Sequence, residues 1–155
     1  MRKKGVKKWP FRGFVALGFK GEKNEGRAYY RSWLELRFLR WLEASSEVAR
    51  YRVEPLSVSG MSGAKRKRYK PDFLIMMEKG PAILTEIRSK RRARDPREQW
   101  KYQAAIVQCS KTGWRWALIT EADLGQLEAG KVTLESLAKK PITRKSGEHP
   151  FEDGK

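Results

Sequence analysis

A chain of 155 residues with 35 Lys and Arg against 18 Asp and Glu carries a formal charge of +17. That length suits one domain with its own core, and so lopsided a charge repels itself, which calls for a polyanionic partner rather than a particular fold. No apolar run approaches a membrane span and no basic helix carries a bulky apolar face, so a membrane is set aside and nucleic acid, DNA first, is the expected partner.

Residues 1–26, "MRKKGVKKWPFRGFVALGFKGEKNEG", are basic, glycine-rich and hold four aromatics. They predict an N-terminal arm without regular structure that lies along a phosphate backbone or a partner. "GFVALGF" is too short and glycine-broken for a signal segment. Residues 27–139 read as the folded domain. From Arg27 to Ala44 the periodicity is helical, with Leu34, Phe38, Trp41 and Leu42 on one arc. Glu35 falls on the edge of that arc, where it can face a cleft or pair with Arg31 at i,i+4 spacing.

"YRVEPLSVSG" predicts a strand broken at Pro55, and "MSGAKRKR" a basic turn or loop whose Lys65, Arg66, Lys67 and Arg68 are DNA-binding candidates. Residues 72–78 and 82–88 predict a β-hairpin around Lys79-Gly80-Pro81. A charge run follows, with Arg88, Lys90, Arg91, Arg92, Arg94 and Arg97, and ends in "DPRE". There Asp95 is the expected N-cap, Pro96 opens the helix and Glu98 closes a capping box. The helix turns Trp100, Ala104 and Val107 inward and stops near Gly113. "WRWALIT" is a strand, "EADLGQLEAG" a short helix behind a Thr120 cap, and residues 140–155 a polar tail. The class is α/β, with no internal repeat and no second domain.

Cys109 and His149 are the only residues of their kinds. An intrachain disulfide and a cysteine zinc cluster are thereby excluded, which fits a reducing compartment, and with His149 in the polar tail Ser-His or Cys-His nucleophilic catalysis has no credible base.

The hairpin opens on one acid, Asp72, and carries another, Glu86, near its end. With its turn at Lys79 to Pro81, residues whose numbers sum to about 160 face each other, so even positions of both strands share a face. Asp72 and Glu86 then become diagonal neighbours roughly 7–8 Å apart at Cα. Continued alternation turns Lys90 to the side of Glu86 and Arg88. Converging carboxylates repel and raise each other's pKa unless a hard divalent cation joins them. The other reading has Asp72 capping a turn after Pro71 and Glu86 paired with Arg88.

"SWLELRFLRWLE", "YKPDFLI", "TEIRSK" and "WKYQAAIVQCSKTGWRWALITEADL", in that order, resemble the PD-(D/E)xK nuclease superfamily. The run from about Ser32 to Leu124 most resembles the N-terminal catalytic domain of the TnsA-type transposase endonuclease. The resemblance implies a restriction-endonuclease-like core, a mixed central sheet flanked by helices, with Mg²⁺ (or Mn²⁺ in its place) at Glu35, Asp72 and Glu86. A lysine two residues beyond the glutamate assists the water in that family. Here that residue is Arg88, which stays protonated and cannot serve as a base. Either Lys90 takes over the role or catalysis is impaired.

The expected function is therefore a Mg²⁺-dependent DNA endonuclease of a mobile element or phage, for example one trimming DNA in packaging or head completion. Arg91, Arg92, Arg94, Arg97 and Lys101 would track phosphates. Phage head or transposition proteins are the expected protein partners, in the host-cell cytoplasm or on a virion. The alternative is a DNA-binding or virion structural protein on a catalytically impaired nuclease fold. RNA binding through Trp9, Phe11 and Phe14 lacks a single-strand platform motif.

Overall fold

The computed structural model describes residues 17–139. The expectations for residues 1–16 and 140–155, including Trp9, Phe11, Phe14 and His149, lie outside the described residues. Eight strands and five helices run in the order β1 (Leu17–Gly18), β2 (Tyr29–Tyr30), α1 (Trp33–Ala44), β3 (Val48–Val53), β4 (Val58–Ser62), β5 (Lys65–Tyr69), β6 (Phe73–Met77), β7 (Ile83–Ile87), α2 (Lys90–Ala93), α3 (Gln99–Thr112), β8 (Arg115–Ile119), α4 (Glu121–Glu128) and α5 (Leu134–Leu137). A 3₁₀ turn, Pro96–Glu98, leads into α3.

The central sheet has the order β3-β6-β7-β8, with β7 and β8 parallel and the other pairs antiparallel. The mixed, helix-flanked sheet expected of the class is present. α3 makes the crossover that the parallel pair requires. Alternation along β6 and β7 divides the core in two. Phe73, Ile75, Ile83 and Ile87 face Phe38, Leu39 and Leu42 of α1 together with Leu124, Leu127 and Leu134. Leu74 and Leu84 face Tyr102, Ala105 and Cys109 of α3. Among the described residues no helix is long and apolar enough to cross a membrane.

Several sequence expectations are corrected. The first helix begins at Trp33, because the Ser32 side chain caps it and the preceding Tyr29–Tyr30 pairs with Leu17–Gly18. Its buried residues are Leu36, Phe38, Leu39 and Leu42, with Leu34 and Trp41 at the margin. The strand expected around Pro55 is two strands, β3 and β4, and the basic "loop" is strand β5, paired with β4. Asp95 caps its turn through Arg97 N. Its own N–H already donates to Arg92 O, so no capping box forms and Glu98 is released to pair with cations. α3 buries Tyr102, Ala105 and Cys109 against the sheet, while Trp100 and Ala104 meet β4 at Gly60.

The β6–β7 register is shifted from the expected one. Phe73 faces Thr85, Leu74 faces Leu84 and Ile75 faces Ile83. One step further, Asp72 is opposite Glu86 rather than diagonal to it. Even positions still share a face, because the pairing sum falls from about 160 to 158, a two-residue shift, and only an odd shift would invert the faces.

Candidate active site

At the end of the sheet where β6 begins and β7 ends, side chains replace the backbone ladder. Asp72 N donates to Glu86 Oε1 at 2.9 Å, and Ile87 N donates to Asp72 Oδ2 at 2.8 Å. The two acids thus close the sheet by reciprocal carboxylate-to-backbone bonds. Arg88 adds its guanidinium, donating from Nη1 to Asp72 Oδ2 at 3.0 Å and from Nη2 to Glu86 Oε2. Its Nε lies 3.6 Å from Glu98 Oε1 and has no hydrogen-bond acceptor. Glu86 is fully buried, and Arg88 lies over it.

Glu35 arrives from the first turn of α1. Its N–H donates to Ser32 Oγ and its Oε1 accepts from Arg31 N at 2.9 Å. The Arg31 guanidinium turns instead to Glu54, 2.6 Å away, so the expected Arg31–Glu35 side-chain pair does not form. Glu54 also accepts from Tyr29 Oη, and its N–H donates to Asp72 O at 2.8 Å. It adopts φ 46°, a left-handed conformation that is costly for a side chain with a Cβ and that tends to persist where surrounding contacts fix it.

Glu35 and Asp72 face one cleft of about 440 Å³, whose walls include the cations Arg31, Lys70, Arg92 and Lys101. Tyr69 lines it too, and its buried hydroxyl has no protein partner. Glu86 does not line the cleft. A wider trough of about 1320 Å³, between residues 18–31 and 52–55, shares Arg31 and Glu54 with it but brings no second acid pair of the site into reach.

Burial and then the charge of Asp72 push the Glu35 carboxyl up to about 7. Burial raises the Asp72 pKa, and Arg88 opposes it. Burial and then Asp72 raise Glu86 well above the ordinary value, with Arg88 again opposing. Burial works against the charge of Arg88, yet Asp72 and Glu86 hold its pKa above the ordinary value. The guanidinium is the counter-ion of this buried pair.

The remaining expected residues divide. Lys101 and Arg92 reach the cleft, both paired with Glu98, at 3.1 and 3.3 Å. Lys90 does not, because Ser89 caps α2 and ends the strand alternation. Lys90 is exposed and spends its N–H on Glu121. Arg91, Arg94 and Arg97 are exposed, with Arg97 on Asp95 at 2.9 Å. Lys65, Arg66, Lys67 and Arg68 are exposed on β5. Sequence reasoning missed Glu54, Tyr69, Lys70 and Glu98. Only Lys70, two residues before Asp72, carried a signal in its proximity to the motif.

Among the described residues no three acidic, His or Cys side chains are arranged to hold a metal ion. The expected set of three is not assembled, because Arg88 covers Glu86. Glu35 and Asp72 do fit a hard divalent ion, since Mg²⁺ is commonly held by one or two carboxylates with waters and phosphate completing its shell. The cleft wall also has unpartnered polar atoms, Tyr69 Oη and Arg88 Nε, for a polar occupant.

Without metal, Glu35 makes stability depend on pH. Its pKa is about 7 when folded against an ordinary 4.5, so its burial costs nothing below the lower value and the cost is complete above the higher. In EDTA, Glu35→Gln should therefore gain on the wild type as the pH rises from about 5 to about 8, by up to about 3 kcal/mol in urea denaturation. A difference constant over that range would contradict a buried Glu35 beside Asp72.

Residues 45–121 match the family model described as TnsA-like endonuclease N terminal. The matched span holds Asp72, Glu86, Arg88 and Lys101 and begins after Glu35. Among curated proteins, none matches the chain.

Proposed function

We propose that the chain, whose residues 45–121 match the TnsA-like endonuclease N-terminal family model, is a Mg²⁺-dependent endonuclease that hydrolyses phosphodiester bonds in duplex DNA. The observation that carries this reading is the pairing of Glu35 and Asp72, from separate elements, at a cleft walled by Arg31, Lys70, Arg92 and Lys101. Acids flanked by cations suit a phosphodiester, which must be gripped by its charge while a cation binds beside it.

When bound, Mg²⁺, or Mn²⁺ in its place, would neutralise charge developing at the scissile phosphate and acidify a water. Glu35 and Asp72 would hold it, with Glu86 behind Asp72 fixing that carboxylate through the Asp72 backbone. Arg92 and Lys101 would exchange Glu98 for phosphate oxygens and orient the strand. The Tyr69 hydroxyl can donate to a phosphate oxygen. Arg88 balances the buried acids and holds Asp72 in place, and a guanidinium takes no proton from water. Lys70, which forms no ion pair among the described residues, takes the role of the family lysine.

Nicking of supercoiled DNA in Mg²⁺ or Mn²⁺ tests this assignment. Lys70→Ala should lower the rate about a hundredfold, the usual effect of losing a group that stabilises transition-state charge. Lys90→Ala should stay within about threefold of wild type, as an exposed surface cation. The opposite ranking would return the role to Lys90 and overturn the assignment.

One observation favours a second reading, a DNA-binding protein on an impaired nuclease fold. It is the guanidinium of Arg88 over Glu86, where a metal-binding carboxylate is expected. Tight duplex binding with no nicking in either metal would establish that reading. A setting in a mobile element or phage, with DNA trimmed during packaging or head completion, is the biological context proposed for either, with transposition or head proteins as partners.

A further inference from the structure

The β4–β5 hairpin stands apart from the central sheet as a two-stranded ribbon. Its pairs run from Val58↔Tyr69 to Ser62↔Lys65, and Gly63, at φ 64°, opens the two-residue turn as a type II′ hairpin requires. Directly paired residues share a face. Val58, Gly60 and Ser62 therefore lie with Tyr69, Lys67 and Lys65. Ser59 and Met61 lie with Arg68 and Arg66 on the other face.

The first face is anchored. A Cβ on Gly60 would stand 2.9 Å from both Ala104 Cβ and Trp100 Cε3, and the Tyr69 ring meets Trp100 edge-on with centroids 5.7 Å apart. The second face is bare. Ser59, Met61, Arg66 and Arg68 are all exposed, Met61 at 51%. Among the described residues, no carboxylate pairs with any of Lys65, Arg66, Lys67 or Arg68, whereas Arg92 and Lys101 share Glu98 and Arg97 has Asp95. β5 then continues through Lys70 and Pro71 directly into Asp72.

We propose that this ribbon enters the major groove of duplex DNA and selects the sequence presented to the cleft, with Arg66 and Arg68 at base edges and Lys65 and Lys67 on phosphates. The inference deepens the endonuclease reading and rests on it only for what is cut. A major groove about 12 Å wide admits a two-stranded ribbon, and five residues of strand extend about 17 Å. The strict Lys-Arg alternation gives each face its own chemistry. Arginine forks match guanine O6 and N7, a methionine can contact a thymine methyl, and lysines act as point charges toward phosphate. Duplex RNA, whose major groove is deep and narrow, does not admit the ribbon.

The test uses the full chain without metal, so that binding is read apart from cleavage. A duplex DNA of about 30 base pairs serves for salt titrations, and a pool of randomised duplexes serves for selection of preferred sequences. Lys65→Ala/Lys67→Ala should lower the slope of log K against log[salt] by about 2 and leave the selected sequence unchanged. Arg66→Lys/Arg68→Lys should keep the slope and relax the selected sequence by about tenfold or more at one or two positions. Duplex RNA of the same sequence should bind at least about tenfold more weakly than the DNA.

Equal affinity for the RNA duplex, an unchanged slope in the lysine variant, or an unchanged selected sequence in the arginine variant would each overturn the proposal. Absence of nicking in both Mg²⁺ and Mn²⁺ would instead sink the endonuclease reading and leave the ribbon standing.

Discussion

Asp72→Asn should abolish nicking, by about three orders of magnitude or more, while the fold and duplex binding should persist. The carboxylate has two duties that the substitution separates. As an acceptor it receives Ile87 N–H and Arg88 Nη1 at one oxygen, and an amide oxygen can take over the backbone bond. As a charge at the cleft it is a proposed ligand of the metal, and the amide cannot replace it. Lewis-acid stabilisation of a phosphoryl transition state is worth several kcal/mol, which sets the size of the loss. Duplex affinity should hold or rise, since a negative charge leaves a basic cleft. Melting temperature, binding and nicking measured on one preparation separate the two duties, and cleavage near the wild-type rate would remove Asp72 from the site.

Arg88→Met should give the second large effect, in stability. The substitution leaves Glu86, fully buried, and Asp72 beside it without their cation. Breaking a buried pair by removing one partner costs about 3–5 kcal/mol, because the remaining charge is uncompensated. The loss has a definite pH course. Burial already raises both carboxyls, and Arg88 is the main opposing charge on Asp72 and a leading one on Glu86. Without it their folded pKa values rise further, so the cost is absent below the ordinary carboxyl range and grows as the pH climbs toward the raised values. Urea denaturation at about pH 4.5 and about pH 8 should show a small deficit at the lower pH and the full one at the higher. Arg88→Lys, which keeps the charge but loses the fork, should fall between. A methionine variant as stable as wild type at the higher pH would mean that the guanidinium does not hold the buried acids.

The fold class was legible because its determinants are local. Apolar runs at 73–77 and 83–87 with the glycine-proline break between them specify paired strands, and parity survived a misplaced turn. The error arose from assuming a tight reversal at Lys79 to Pro81, whereas pairing ends at Ile75↔Ile83 and residues 76–82 form a wider connection. β5 was misread because a run of four basic residues has no apolar alternation. The ribbon needs none, since only its base is packed, at Val58, Gly60 and Tyr69. Lys90 was misplaced by extending strand alternation across Ser89, which instead caps a helix.

Of the site, Asp72 and Glu86 could be paired from sequence, because adjacent strands bring their ends together. Glu54 could not be found. Its role depends on a left-handed backbone and on contacts to residues far away in the chain, neither of which leaves a pattern in composition or spacing. Glu98 was assigned to a cap. The Asp95 N–H it was meant to receive is taken by Arg92 O, a contact that exists only once α2 has formed.

The bonds around Glu54 also govern how this end of the molecule opens. The amide of Glu54 is closed by Asp72 O, that of Asp72 by Glu86, that of Ile87 by Asp72, and that of Arg31 by Glu35. Three of these backbone protons are shielded by a carboxylate side chain of the site, and that of Glu54 by the backbone carbonyl of Asp72. Hydrogen exchange at all four thus requires the cleft itself to come apart, which makes the site a single opening unit whose protection reports its integrity residue by residue.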